Sequence, residues 1–303
     1  MGKHQDSNLR WMMFRRTLPH EVQQLDPRQD HLRIVYLDAC YEFPFDFTRA
    51  DEFALFRTFA VPSIAALLEN TGEFTQRTQR RYDDTKLIIS ELVEHGYDSE
   101  RGRQALRQMN FLHGRYKISN DDFLYVLSTF VFAPPRWMER YAYRAMFQQE
   151  KLALFYFWRE VAARMGIQGA PEEMEEFQRF NVTYEESKFQ LTPAGHRVAL
   201  ATQDMFLGWF LPLALRHLGA PAVHALMDDR LLDSLGLPRP SPVLRRLVQG
   251  ALRVRGRLTG LLPQRRKPFL RTARGPPHLP PGLSNRRTGP ARDPLSGFLA
   301  KHI

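Results

Sequence analysis

Apolar residues recur three and four positions apart through most of the chain between 51 and 262, the spacing of helices with one buried face. Phe53, Leu55, Phe56, Phe59, Ile64, Leu67 and Leu68 form the first such stretch, and Thr71-Gly72 stops it. A second helix is expected over Glu73–Glu94, ending at Gly96. A third starts after Asp98-Ser99, carries Glu100 where a carboxylate suits the helix dipole, and runs to about Tyr116. Ser119 and Asp122 are spaced like a capping box with Asp in place of Glu. Gln148–Met165 reads as a helix stopped by Gly166, and Phe155, Tyr156, Phe157 and Trp158 surround it, so it is expected at the centre. Pro171 stands at an expected first helical position, and Thr192-Pro193 and Ser241-Pro242 repeat an N-cap followed by proline. Strand-like alternation is nearly absent; His31–Leu37 is the best strand candidate.

The expectation is an all-α protein of about nine to twelve helices. Residues 1–50 form a lead-in, 51–262 the helical domain, and 263–303 an Arg/Pro-rich arm or tail. In the arm Pro263, Pro268, Pro276, Pro277, Pro280, Pro281, Pro290 and Pro294 break helices, giving an extended segment or a strap over the body. The longest apolar runs, Phe123–Ala133 and Met205–Leu215, are far shorter than the ~20 residues a membrane span needs and read as buried helices. The N-terminus carries charge from Lys3 to Arg16 without a long apolar core, so no secretory signal is expected.

Charge divides the chain. Of 43 Lys+Arg and 33 Asp+Glu, residues 245–303 hold 14 and one, leaving 29 and 32 to residues 1–244. The net charge of +10 is therefore a basic arm on a slightly acidic body, which makes nucleic-acid binding unlikely and leaves peripheral membrane contact through the tail open. A single cysteine, Cys40, excludes an intramolecular disulfide, a zinc ribbon and a cysteine-held iron–sulfur cluster. A cytoplasmic location is expected. Glycine-rich nucleotide loops, HExxH and GxSxG do not occur. No acid precedes a histidine by three on a helix, as a di-iron bundle requires.

Two positions carry possible chemistry. Leu106, Met109, His113 and Tyr116 share one face of the third helix, which puts His113 on a buried stripe beside Gly114. A core histidine bonded to a carbonyl and a metal or haem ligand both satisfy that placement. Arg81 and Thr85 lie one turn apart in line with Ile88, Ile89 and Leu92. An arginine there pairs with an acid such as Asp84, or is held for an anionic group in an apolar pocket. Asn120-Asp121-Asp122 is explained as a cap without a metal. The aromatic content, 22 Phe, 10 Tyr and 4 Trp, suits a core and also an apolar ligand cavity.

The stretches FRTFAVPSIAALLENTGEF (Phe56–Phe74), RRYDDT (Arg80–Thr85), MNFLHGRY (Met109–Tyr116) and NDDFLYVLSTFVF (Asn120–Phe132) resemble the bacterial members of the MpaB/rubber oxygenase family. The resemblance covers roughly residues 50–260. It implies a globin-like, multi-helix domain that binds one haem b and uses O2 to cleave carbon–carbon double bonds of an apolar, isoprenoid-type substrate. It further implies that His113 is the proximal iron ligand through Nε2, with Nδ1–H donated to a carbonyl or carboxylate. Arg81 and Thr85 match the family's arginine and threonine, as propionate anchor and oxygen-orienting pair. Asp84 stands where the rubber oxygenases carry a lysine and completes the candidate catalytic set. No residue matches the family's catalytic glutamate. Two other readings accompany this one: a non-catalytic haem or lipid carrier, and a nucleic-acid or membrane-surface protein acting through the tail.

Overall fold

Helix-starting residues act where the chain grammar places them. Ser99, Ser119, Thr192, Asp228 and Ser241 each accept a backbone N–H of the first turn, which satisfies one of the donors a helix start leaves free. The computed structural model describes residues 17–273, and within them it has fourteen α-helices and no strand. They are α1 (Thr17–Gln24), α2 (His31–Leu37), α3 (Pro44–Phe59), α4 (Pro62–Asn70), α5 (Glu73–Gln76), α6 (Thr78–His95) and α7 (Glu100–His113). Then follow α8 (Asn120–Tyr141), α9 (Gln148–Arg164), α10 (Met174–Lys188), α11 (Pro193–Gly208), α12 (Arg216–His224), α13 (Asp229–Leu235) and α14 (Pro242–Leu261).

The all-α expectation holds, with several corrections. His31–Leu37 is a helix, not a strand: Ile34 and Val35 pack against α9, and the helix continues into a π-helical turn, Asp38–Glu42. The stretch expected as one helix from Glu73 is two, α5 and α6, broken at Arg77. The third expected helix ends at His113, not Tyr116. Pro171 precedes α10 by three residues, and Glu173 is the N-cap. Asp122 does not complete a capping box; its Oδ1 accepts from the hydroxyls of Ser63 and Tyr184, tying α8 to α4 and α10. Met205–Leu215 is not one buried helix. α11 ends at Gly208, Pro212 lacks an N–H to continue it, and the helices flanking the break meet at 119°. No single helix among the described residues is long and apolar enough to cross a membrane.

Helices α3, α8 and α9 form the centre. α8 packs against α3, α9 and α10, and α9 also packs against α2. Flat aromatic contacts fill the joints: Phe53 on Trp137 at 5.5 Å and Phe130 on Trp158 at 4.8 Å. Phe155, Phe157 and Trp158 are buried, as a central α9 requires. Val22, Ile34, Val35, Cys40 and Phe43 belong to this same core, so residues 17–50 are built into the body. α6 and α7 form an antiparallel pair at one side. Gly102 makes their tight junction possible: a Cβ there would sit 2.0 Å from the carbonyl oxygen of Gly96, which itself has φ +77°.

The first residues of the arm are a strap. Phe269 N–H donates to the Cys40 carbonyl at 2.8 Å, and the backbone N–H of Arg271 and the hydroxyl of Thr272 donate to the Glu94 carboxylate. Several arginines read as tail basicity are also tied to the body, Arg245 to Asp229 at 2.6 Å and Arg255 to Asp46 at 2.7 Å. Residues 274–303, the rest of the expected arm, lie outside the described residues.

Candidate functional site

His113 closes the last turn of α7. Its ring meets the ring of Phe123, at the start of α8, edge-on at 5.3 Å. Burial, helped by the charge of Arg81, pulls its pKa down to about 4, so the imidazole is neutral at physiological pH. Nδ1 is shielded from solvent and has no hydrogen-bond partner among the described residues. The expected carbonyl or carboxylate acceptor for that nitrogen is therefore not there. Leu106 is buried below it, but Tyr116 lies beyond the helix end and is exposed, so the stripe stops at His113. At Gly114 an added Cβ would touch only the Asn110 and Phe111 carbonyls of its own chain segment, so this side is otherwise open.

Arg81 sits on α6 facing His113 closely enough to disfavour its protonation. Its Nη1 donates to Thr85 Oγ1, and Thr85 in turn donates to the Arg81 carbonyl at 3.1 Å. The guanidinium lies 5.2 Å from the Phe74 ring centre. No carboxylate pairs with it among the described residues, and burial holds its pKa below the ordinary arginine value. The ion pair with Asp84 that the sequence leaves open is not formed. Asp84 instead approaches Arg80 at 3.9 Å on the more exposed side of α6. Thus Arg81, Thr85 and His113 are neighbours, and Asp84 stands at their edge.

Thr85 also faces a small cavity of about 50 Å³, open on one side. Phe47, Leu55, Ile89, Val93 and Phe130 give it apolar walls, while Asp51, Glu52, Lys86 and Arg271 give it a polar end; His113 and Arg81 are not among its lining residues. Glu52 is buried and accepts from Arg49 at 2.7 Å and from the Tyr82 hydroxyl at 2.5 Å. Burial outweighs those partners and raises its pKa. Asp51 is pushed up to about 7 by burial, against the pull of Arg271. Burial lowers the Lys86 pKa, with Glu52 opposing it. Arg271 reaches across from the strap: Nη2 donates to the Pro44 carbonyl at 2.7 Å and to Thr48 Oγ1 at 2.9 Å.

Sequence reasoning missed this polar end. Asp51 and Glu52 stand beside the apolar positions that define α3, and their depth follows only from how α3 meets α6. The one signal available was an acidic pair on a helix whose other positions are mostly apolar or aromatic.

A sequence profile for the family described as "ER-bound oxygenase mpaB/B'/Rubber oxygenase, catalytic domain" matches residues 53–257. This chain belongs to that family. The mpaB/rubber oxygenase domain is similar to the ER-bound oxygenase mpaB' of Penicillium brevicompactum, 31% identical over 219 residues, 66% of this chain and 52% of that protein. It is similar also to the ER-bound oxygenase mpaB of Penicillium roqueforti (strain FM164), 31% identical over 212 residues, 64% of this chain and 71% of that one. The chain thus spans about half the length of the first of these relatives. The matched region of the mpaB/rubber oxygenase domain contains Arg81, Thr85, His113 and most of the cavity wall, and ends inside α14, short of Arg271.

Proposed function

We propose that the protein is a haem-dependent oxygenase that acts with O2 on an apolar, isoprenoid-type olefin, with a globin-like arrangement of helices around one haem b. The observation that carries this reading is the pairing of a neutral, half-buried imidazole, its Nδ1 without a partner among the described residues, with a half-buried guanidinium that no carboxylate pairs there, inside a region matched to an oxygenase family. A neutral imidazole nitrogen without a protein partner fits iron ligation. The open side at Gly114 fits a flat macrocycle, and an unpaired guanidinium fits one of its propionates. Haem, when bound, supplies the O2 chemistry.

The remaining roles fall to the chain itself. His113 fixes the cofactor, and Arg81 binds its anionic edge. Thr85, locked by its two hydrogen bonds with Arg81, joins the guanidinium to the cavity wall. Phe47, Leu55, Ile89, Val93 and Phe130 hold an olefin away from water. Asp51, with its pKa near 7, takes up or releases a proton at its carboxylate oxygens near neutrality.

The test is an absorption spectrum of protein produced with haem supplied, followed by O2 uptake with prenyl olefins. A Soret band that disappears or moves in His113→Ala is expected. No band, or one unchanged in that variant, would sink the reading. Haem binding without O2 uptake across the olefins would leave a carrier and not an oxygenase.

A further inference from the structure

We propose that the outward face of α14 docks on an anionic lipid bilayer. Val243, Leu247, Val254, Leu258 and Leu261 fall at i, i+4, i+11, i+15 and i+18, one stripe on a helix. They are 52% to 76% exposed, an unusual state for five large apolar side chains in a row. The helix is not misoriented. On its inner face Gly256 lies against the Tyr141 carbonyl so closely that a Cβ would sit 2.3 Å away. Leu252 packs on the core, and Arg245 and Arg255 hold Asp229 and Asp46. With the inner face so anchored, the stripe is left facing out.

Charge selects the occupant. Arg246, Arg253 and Arg257 run along one edge of the stripe, all exposed, and no carboxylate pairs with them among the described residues. The helix contains five arginines and no acid. Those five charges bar it from crossing a bilayer and suit a helix lying in the interface, leucines in the acyl region and guanidinium groups at phosphates. A second copy of the chain would set the two arginine rows against each other. The chain's own ends also lack the complementary charge: residues 1–16 hold four basic residues and one acid, and residues 274–303 hold five and one. A second exposed apolar group, Phe210 and Leu213 before α12 and Leu218 in its first turn, adjoins this face, since α12 packs against α14.

Flotation of the full chain with phosphatidylcholine vesicles, with and without about 30% phosphatidylserine, tests this. The expected result is association with the anionic vesicles that weakens in about 0.5 M salt. Arg246→Gln/Arg253→Gln/Arg257→Gln should lose on the order of 100-fold in partitioning on those vesicles. Leu247→Glu/Leu258→Glu should lose at least about as much. Both variants alter exposed positions, and far-UV circular dichroism checks that each remains folded. Four outcomes overturn the proposal. The first is no association of the unaltered chain, and the second is unchanged association of both helix variants. The third is loss confined to a chain altered in the tail at Arg274, Arg286, Arg287 and Arg292. The fourth is a two-chain mass in solution that reverts to one chain in the leucine variant, which would make the occupant a second copy.

Discussion

Arg144 is, among the described residues, the single cation paired within a buried acidic cluster, and its removal should be costly. Its Nη2 lies 2.7 Å from Glu150 and 3.1 Å from Glu42, with carboxylates 0% and 7% exposed. Asp38, also buried, faces Glu150. Burial and the neighbouring Glu150 hold the Asp38 carboxyl well above the usual range. In Arg144→Met the stem is kept, and Glu150 retains the Phe147 N–H at 2.5 Å and its contact with the Asp38 carboxyl but no cation among the described residues. Breaking a buried pair in this way costs about 3–5 kcal/mol. At a urea dependence of about 3 kcal/mol per M, the unfolding midpoint should fall by roughly 1–2 M at pH 8.

The pH dependence gives the sharper check. A folded state that holds its acids protonated binds more protons than the unfolded chain, so its stability falls as pH rises. Without the arginine this effect grows, and the deficit of the variant should be smaller at pH 5 than at pH 8. Urea unfolding followed at 222 nm reads both values. A loss below about 1 kcal/mol at pH 8, or a deficit that is larger at pH 5, would refute the placement of Arg144 as the charge-balancing group.

Asp51 predicts a separate signature. Its pKa of about 7 against about 3.9 when unfolded means that the folded state gives up as much as about 4 kcal/mol between pH 4 and pH 8; Asp51→Asn should flatten that decline and be the more stable form at pH 8, measured by thermal unfolding across pH. Gly102→Ala should destabilise by about 1–3 kcal/mol because its Cβ overlaps the Gly96 carbonyl, whereas Gly250→Ala, with nothing within 4 Å, should be neutral or slightly stabilising; paired denaturant curves compare the two.

Helices were legible where local signals agree. Ser119, Thr192 and Ser241 announce α8, α11 and α14 because a hydroxyl three residues before a free N–H is a local arrangement. His31–Leu37 misleads because Ile34, Val35 and Tyr36 favour a strand within a run of only seven positions, too few to distinguish a short buried helix from a strand; packing on α9 decides it. Asp122 shows the limit of motif spacing, since its carboxylate serves Tyr184, 62 residues away, and not its own helix start. At the candidate site, the helices that carry Arg81 and His113 could be read from their apolar stripes, for each lies on one helix. The cavity's polar end could not, because α3, α6 and the strap each contribute one part of it.

The strap has a consequence for how the cavity is made. Arg271 bonds to Thr48 across 223 residues of sequence. At about 5–20 residues per second of synthesis, roughly 10–45 s separate the emergence of the two partners. During that interval the walls from α3, α6 and α8 can already stand while the guanidinium side does not yet exist. A bulky ligand therefore meets a wide cleft on the nascent chain and a narrowed one afterwards, and the strap at Arg271 sets the time at which easy entry ends.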